Sequence, residues 1–108
     1  MNELPRRIKR QLRELAGQAY ENELAAELHK LAENFDEWKA GKIAAGDLEH
    51  LIHKFHNGPA RELFSRYNDP HVRVMVASAI ARGVLERGSV PDDVWPYLEA
   101  AVQLFQAD

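Results

Sequence analysis

An uncharged run of eight residues, VMVASAIA from Val74 to Ala81, constrains the fold of this chain more than any other feature. Asp69 and Pro70 precede it as signals for a helix start, and Gly88 follows it as a signal for a helix end. A helix that is apolar on every side must be covered by neighbouring elements on most sides, and this one is too short to cross a membrane. The sequence therefore predicts a buried central helix over about residues 70–87.

Apolar residues in the first forty positions recur at spacings of three and four, which is typical of helices and not of strands. The first stripe comprises Ile8, Leu12, Leu15 and Ala19. The second comprises Tyr20, Leu24, Leu28, Leu31, Phe35 and Trp38. Because the two stripes are out of phase, we predict a long first helix that is bent or broken near Gly17.

Three further segments complete the predicted fold. A third helix covers residues 46–56 and ends at the Asn57-Gly58-Pro59 turn, and a short helix then buries Leu63 and Phe64. The last helix begins at Pro91 with a kink at Pro96, or begins at Pro96 itself. Its expected buried residues are Trp95, Leu98, Val102 and Phe105. The fold class is thus all-α: one domain over residues 1–108, a compact bundle of five or six helices around the central helix.

Composition excludes several classes of protein. The 108 residues include no cysteine, which removes disulfides and thiolate chemistry. The N-terminal residues lack the apolar run of a signal peptide, so we expect a cytoplasmic protein. The net charge of −3 argues against an obligate polyanion binder. Charge is nevertheless uneven: residues 1–17 carry five basic and two acidic side chains, whereas residues 18–39 carry two basic and six acidic ones.

Three histidines, His50, His53 and His56, follow one another at intervals of three residues in the predicted third helix. Imidazole nitrogens at such a spacing are candidate metal ligands, which Asp47 or Glu49 could supplement with oxygen. On a helical wheel, however, the three side chains spread over a wide arc opposite the apolar face. We therefore favour a solvated face over a metal site and predict no cofactor.

The segment Asp36 to Asp47 (DEWKAGKIAAGD) resembles an EF-hand calcium loop. Acidic residues occupy its first and twelfth places, Gly41 the sixth and Ile43 the eighth. The third and fifth places are Trp38 and Ala40, which have no side-chain oxygen for an ion. The prediction here is a helix-loop-helix corner with Ile43 packed inward.

A basic ridge lies along the start of the first helix, in the segment of about residues 5–16. It consists of Arg6, Arg7, Lys9, Arg10 and Arg13. Such a ridge is a candidate nucleic-acid contact, with Arg6, Arg7, Arg10 and Arg13 touching phosphates. Because no aromatic side chain is interleaved with these residues, pairing with the acidic segment that follows is an equal explanation.

No motif for a nucleophile, a phosphate loop or a catalytic dyad is present, so an enzyme is the less favoured class and no catalytic residue is assigned. Two apolar stripes with different directions exceed what one small domain is expected to cover. The favoured hypothesis is a helical protein–protein interaction or regulatory module that forms a homodimer. A nucleic-acid-associated regulator that uses the basic ridge is the first alternative, and a histidine-based metal protein or enzyme is the second. No membrane partner is expected.

Overall fold

The computed structural model describes residues 4–107, and every regular element in that range is helical. The five α-helices are α1 (Arg6–Lys39), α2 (Ala45–Phe55), α3 (Arg61–Tyr67), α4 (Val72–Ala81) and α5 (Glu99–Gln106). A π-helical turn covers His56–Ala60, and two 3-10 turns cover Arg87–Ser89 and Trp95–Tyr97. The all-α prediction is confirmed. Residues 1–3 and 108 of the predicted single domain lie outside the described range.

Helix α1 is a continuous helix of 34 residues. Of the two alternatives predicted near Gly17, a bend or a break, the break is therefore wrong. Gly17 does not have a positive φ, and the roughly 1 kcal/mol that a helical glycine costs is small beside the burial of Ala16 and Ala19 next to it. The helix ends where Gly41 takes a φ of +78°. There the N–H of Lys42 donates to the carbonyl of Glu37 at 2.8 Å, as in a Schellman motif.

One buried core is formed by the first half of α1 together with α4, α5 and the turns before α5; we call this part the proximal core. All four residues of the first predicted stripe are buried in it. The other large contributors are Val76, Ile80, Leu85, Val90, Val94, Leu98 and Val102. The first stripe therefore performs the packing role that its spacing predicted.

The predicted central helix is shorter and less enclosed than expected. It ends at Ala81 because Gly83, with a φ of +79°, closes it; the N–H of Val84 donates to the carbonyl of Ala79 at 2.8 Å. At its start the carboxylate of Asp69 accepts a hydrogen bond from the backbone N–H of His71 at 2.7 Å. The side chain of Val74 is 48% exposed, so α4 has one uncovered side.

Helix α2 does not stop at the Asn57-Gly58-Pro59 sequence. The chain continues into α3 through the π-helical turn, and Pro59 lies inside that turn. Leu63 is buried as predicted, whereas Phe64 is 62% exposed and its predicted burial is wrong.

The C-terminal segment follows the second of the two alternatives more closely. Residues 91–94 form a separate turn, Pro96 sits in a 3-10 turn, and the α-helical part begins only at Glu99. Of the expected buried residues, Leu98 and Val102 are fully buried. Trp95 is only half-buried, under the guanidinium of Arg87 at 4.5 Å, and Phe105 is 49% exposed.

The molecule is more elongated than the compact bundle expected from the sequence. Its extents are 58 × 27 × 23 Å and its radius of gyration is 17.5 Å, against about 13 Å for a compact domain of this length. The elongation comes from the second half of α1 and α2, which run antiparallel beyond the proximal core. We call residues 20–55 the distal hairpin. Among the described residues, no helix has both the length and the apolar character that a bilayer crossing requires.

Candidate interaction surface

The distal hairpin is a single layer that consists of two helices side by side. None of the second-stripe residues of α1 is buried, and in α2 only Leu48 is. A layer with an apolar side needs a second layer against it. Within residues 4–107, the proximal core does not cover the apolar side of the hairpin.

Helix geometry places two exposed apolar side chains on the same side of the hairpin. Seen from the N-terminus of each helix, Leu28 lies about 60° clockwise from half-buried Leu31, and Ile52 about 100° clockwise from half-buried Leu51. Because α1 and α2 are antiparallel, a clockwise offset on either helix, viewed from the N-terminus of that helix, points to the same side of the layer. Leu28 and Ile52 therefore lie on one side. Leu28 is 45% exposed and Ile52 is 38% exposed.

Small residues surround Leu28 on that side. Ala25 and Ala32 precede and follow it at intervals of three and four, so all three side chains share one helical face. Ala25 is half-buried and Ala32 is exposed. A leucine between two alanines presents one protruding group flanked by two depressions, a surface that another helix can approach closely. We call the surface formed by Ala25, Leu28, Ala32 and Ile52 the open face.

A polar cluster around Glu23 fixes the base of the hairpin to the rest of the molecule. Its carboxylate accepts hydrogen bonds from Arg66 on α3 at 3.2 Å and from Arg82, the residue that follows α4, at 2.8 Å. The Tyr67 hydroxyl donates to the same carboxylate at 2.5 Å. One side chain of α1 thus holds α3 and the end of α4 together.

The protonation of this cluster is set by two opposing effects. Partial burial by itself raises the pKa of Glu23, but the hydrogen bonds from Arg82 and Tyr67 and the charges of Arg82 and Arg66 outweigh it, so the pKa lies below its usual value. Burial and the hydrogen bond to Glu23 raise the pKa of Tyr67. Glu23 is therefore ionised and Tyr67 neutral near neutral pH.

Two further contacts brace the same junction. The side-chain amide of Asn22 donates to the backbone carbonyl of Val84 at 2.9 Å. The rings of Tyr20 and Tyr67 meet edge to face with centroids 5.8 Å apart. Together with the Glu23 cluster, these contacts hold the hairpin base at a defined angle.

Two of the shallow grooves that adjoin the junction border α3. One, of about 520 Å³, runs beside Glu23 and Arg66 and also has Glu27 and Glu62 in its lining. The other, of about 370 Å³, lies between α1 and α3–α4 and includes Gly17 and the exposed ring of Phe64. Neither groove is enclosed, and neither brings together a nucleophile and a base.

The histidine candidates do not converge. His50, His53 and His56 are all exposed, and the nearest charged partner in this group is Glu49, whose carboxylate lies 3.5 Å from Nε2 of His53. Within residues 4–107 there is no group of three or more acidic, histidine or cysteine side chains with the arrangement of a metal site.

The basic ridge is exposed along α1. Arg6, Arg7, Arg10 and Arg13 all face solvent, and the guanidinium of Arg7 lies 3.1 Å from the carboxylate of Asp93. Asp93 belongs to the turn at residues 91–94, so this ion pair does not involve the acidic half of α1.

The segment that resembles an EF-hand loop forms a tight corner between α1 and α2. Asp47, its twelfth residue, accepts a hydrogen bond from the backbone N–H of Ala44 at 3.0 Å and so serves the start of α2. Ile43 is half-buried. The corner predicted from the spacing is therefore present.

Comparison with known protein families, characterised proteins and solved structures finds no significant match to this chain. Any functional conclusion therefore depends on the chemistry and geometry of the surfaces described above.

Sequence reasoning missed the Glu23 cluster altogether. Along the chain, Arg66 lies 43 positions after Glu23 and Arg82 lies 59 positions after it. All three occur among many similar charges. Their spacing contains no local signal that they meet. The two-stripe pattern, in contrast, did indicate that part of α1 would have an apolar side directed away from the main core.

Proposed function

We propose that this protein is a small helical protein–protein interaction module that binds its partner through the open face of the distal hairpin. The observation that supports the proposal is the exposure of Leu28 and Ile52 on one side of a two-helix layer. Exposed apolar groups grouped on one surface are characteristic of binding sites, whereas isolated ones are not.

The rigidity of the hairpin base favours this proposal. A surface that is already held in place loses less conformational entropy when it binds. The Glu23 cluster and the Asn22 contact provide that restraint at the point where the hairpin leaves the proximal core. The hairpin can therefore present its open face as a preformed surface.

Affinity capture with matched variants tests the proposal. Tagged wild-type chain, Leu28→Glu and Leu104→Glu are used to capture material from lysate of the source cells, with and without nuclease. Leu104 is 77% exposed on α5, so the control introduces the same charge on the proximal core. We expect a stoichiometric protein partner, which includes an untagged copy of this chain, to bind the wild type and Leu104→Glu but not Leu28→Glu.

Other outcomes would contradict the proposal in different ways. Equal capture by all three chains would show that the open face is not the binding surface. Loss of the captured material after nuclease treatment would favour the nucleic-acid alternative, in which Arg6, Arg10 and Arg13 contact phosphates. Circular dichroism of each variant establishes that the helices are intact.

A further inference from the structure

We infer that the partner of the open face is a second copy of this chain, and that two distal hairpins pack to form a four-helix bundle. This inference depends on the proposed function, since it names the occupant of the same surface. Three features of the hairpin support it: its thickness, its pattern of large and small side chains, and its area.

The hairpin is one layer of helices, and a second copy would supply the second layer that it lacks. A two-helix layer becomes a closed bundle when one further two-helix layer covers it, and an identical hairpin is such a layer. The residues that would form the shared interior are already half-covered within each copy: Leu24, Leu31, Phe35, Leu51 and Phe55. A second hairpin would complete the burial of these side chains, which are only half-buried in a single copy.

The pattern of side chains on α1 is complementary to itself. In a two-fold symmetric interface, each surface must supply both the protruding group and the depression that receives it. Leu28 is the protruding group, and Ala25 and Ala32 form depressions on either side of it. The alternation of large and small side chains on this face therefore suits a second copy of the same face.

The area of the hairpin is sufficient for a specific but modest dimer. The α1 portion from residue 24 to residue 39 is about 24 Å long at 1.5 Å per residue. Two helices packed about 9 Å apart give a layer about 20 Å wide. The resulting contact is about 500 Å² per copy, or about 1,000 Å² in total, close to the lower limit for a specific interface. We therefore expect a dimer that dissociates on dilution.

Sedimentation equilibrium of the purified chain alone tests this inference. The wild type should approach twice the chain mass of 12.3 kDa as its concentration rises. Ala32→Glu places two like charges close together across the two-fold interface, so its dimer dissociation constant should rise at least about 100-fold. Ala100→Glu, the same substitution at an exposed position of α5, should leave the dissociation constant unchanged.

A second measurement follows the burial of the open face directly. Hydrogen exchange of α1 and α2 amides should slow as the wild-type concentration rises, because dimerisation suppresses local opening of the hairpin. The same amides in Ala32→Glu should exchange at a rate independent of concentration. The concentrations used should span the dissociation constant that sedimentation equilibrium gives, because the dimer fraction depends on their ratio.

The outcomes separate this inference from the proposed function. A wild-type chain that remains monomeric at about 1 mM, where even weak self-association would be seen, overturns the second-copy inference. In that case the proposed function still stands if the wild type captures a different protein from the lysate and Leu28→Glu does not capture it. A dimer that Ala32→Glu does not weaken overturns the assignment of the dimer contact to the open face.

Discussion

The two halves of α1 have similar apolar stripes and very different surroundings. Ile8 and Leu12 in the first half are 1% exposed, whereas Leu28 in the second half is 45% exposed. Both halves belong to one uninterrupted helix, so helix formation does not explain the difference. The first half packs against α4 and shares a buried core with α5 and the turns before it, while the second half faces only the single layer formed by α2 and α3. An apolar stripe therefore becomes a core only where the tertiary structure supplies a second layer.

The comparison also distinguishes two ways in which the parts of this molecule are stabilised. The proximal core is held by close-packed aliphatic side chains. The base of the distal hairpin is held by polar contacts around Glu23, which fix its direction. We expect substitutions in these two places to differ both in size and in pH dependence.

The largest expected difference is between the same truncation in the two halves of α1. Leu12→Ala should lower the free energy of unfolding by about 3 kcal/mol, because it leaves a cavity in a close-packed core. Leu28→Ala should lower it by less than about 1 kcal/mol, since much of that side chain is already in water. Urea denaturation at low protein concentration, where self-association does not contribute, measures both. Equal losses would show that the distal hairpin is as well packed as the proximal core.

An intermediate effect is expected at the junction. Glu23→Gln keeps the shape of the side chain but removes the charge that Arg66, Tyr67 and Arg82 share, which should cost about 1–2 kcal/mol at pH 7. Because folding lowers the pKa of Glu23, its stabilising effect is complete above the pKa of the unfolded carboxyl and is lost as pH falls through the lower, folded pKa.

The measurement for Glu23 is a pair of denaturation series across pH. The difference in unfolding free energy between wild type and Glu23→Gln should stay constant from pH 7 to about pH 5.5 and shrink at lower pH. Glu33→Gln, at an exposed position of the same helix, serves as the control and should show little difference at any pH. A difference for Glu23→Gln that persists unchanged to pH 2 would contradict the role of its ionised carboxylate.

The smallest expected effects concern two glycines and have opposite signs. Neither Gly17 nor Gly83 has an atom within 4 Å of an added Cβ, so only backbone conformation distinguishes them. Gly17→Ala should stabilise the protein by about 0.5–1 kcal/mol, because its helical backbone suits alanine. Gly83→Ala should destabilise it by about 1 kcal/mol, because its φ of +79° does not. Thermal unfolding measures both, and effects of the same sign would contradict this explanation.

Some features of the fold could be predicted because their signals are local. The stripe of Ile8, Leu12, Leu15 and Ala19 identified the buried side of α1, and the corner at Gly41 followed from a turn signal between two amphipathic segments. The errors occurred where a local signal competed with another one. Gly17 did not break α1, Gly83 ended α4 before Gly88 could, and Pro59 was accommodated in a widened helical turn.

The sequence predicted only part of the candidate surface. The out-of-phase stripe indicated that Leu28 and its neighbours would point away from the main core. Nothing in the spacing of Leu28 and Ile52 indicated that they would share one side of a hairpin, because that depends on how α2 packs against α1. The Glu23 cluster depends in the same way on residues brought together from three helices.

By itself, the sequence determined the helical class, the buried stripe at the start of α1 and the corner at Gly41, because periodicity and backbone preference act over a few residues. The tertiary structure alone decided that α1 extends beyond the core, which exposed apolar residues share a side, and which arginines meet Glu23. Those outcomes depend on contacts between residues far apart in the chain, and such contacts are set by the packing of the helices and not by any local pattern.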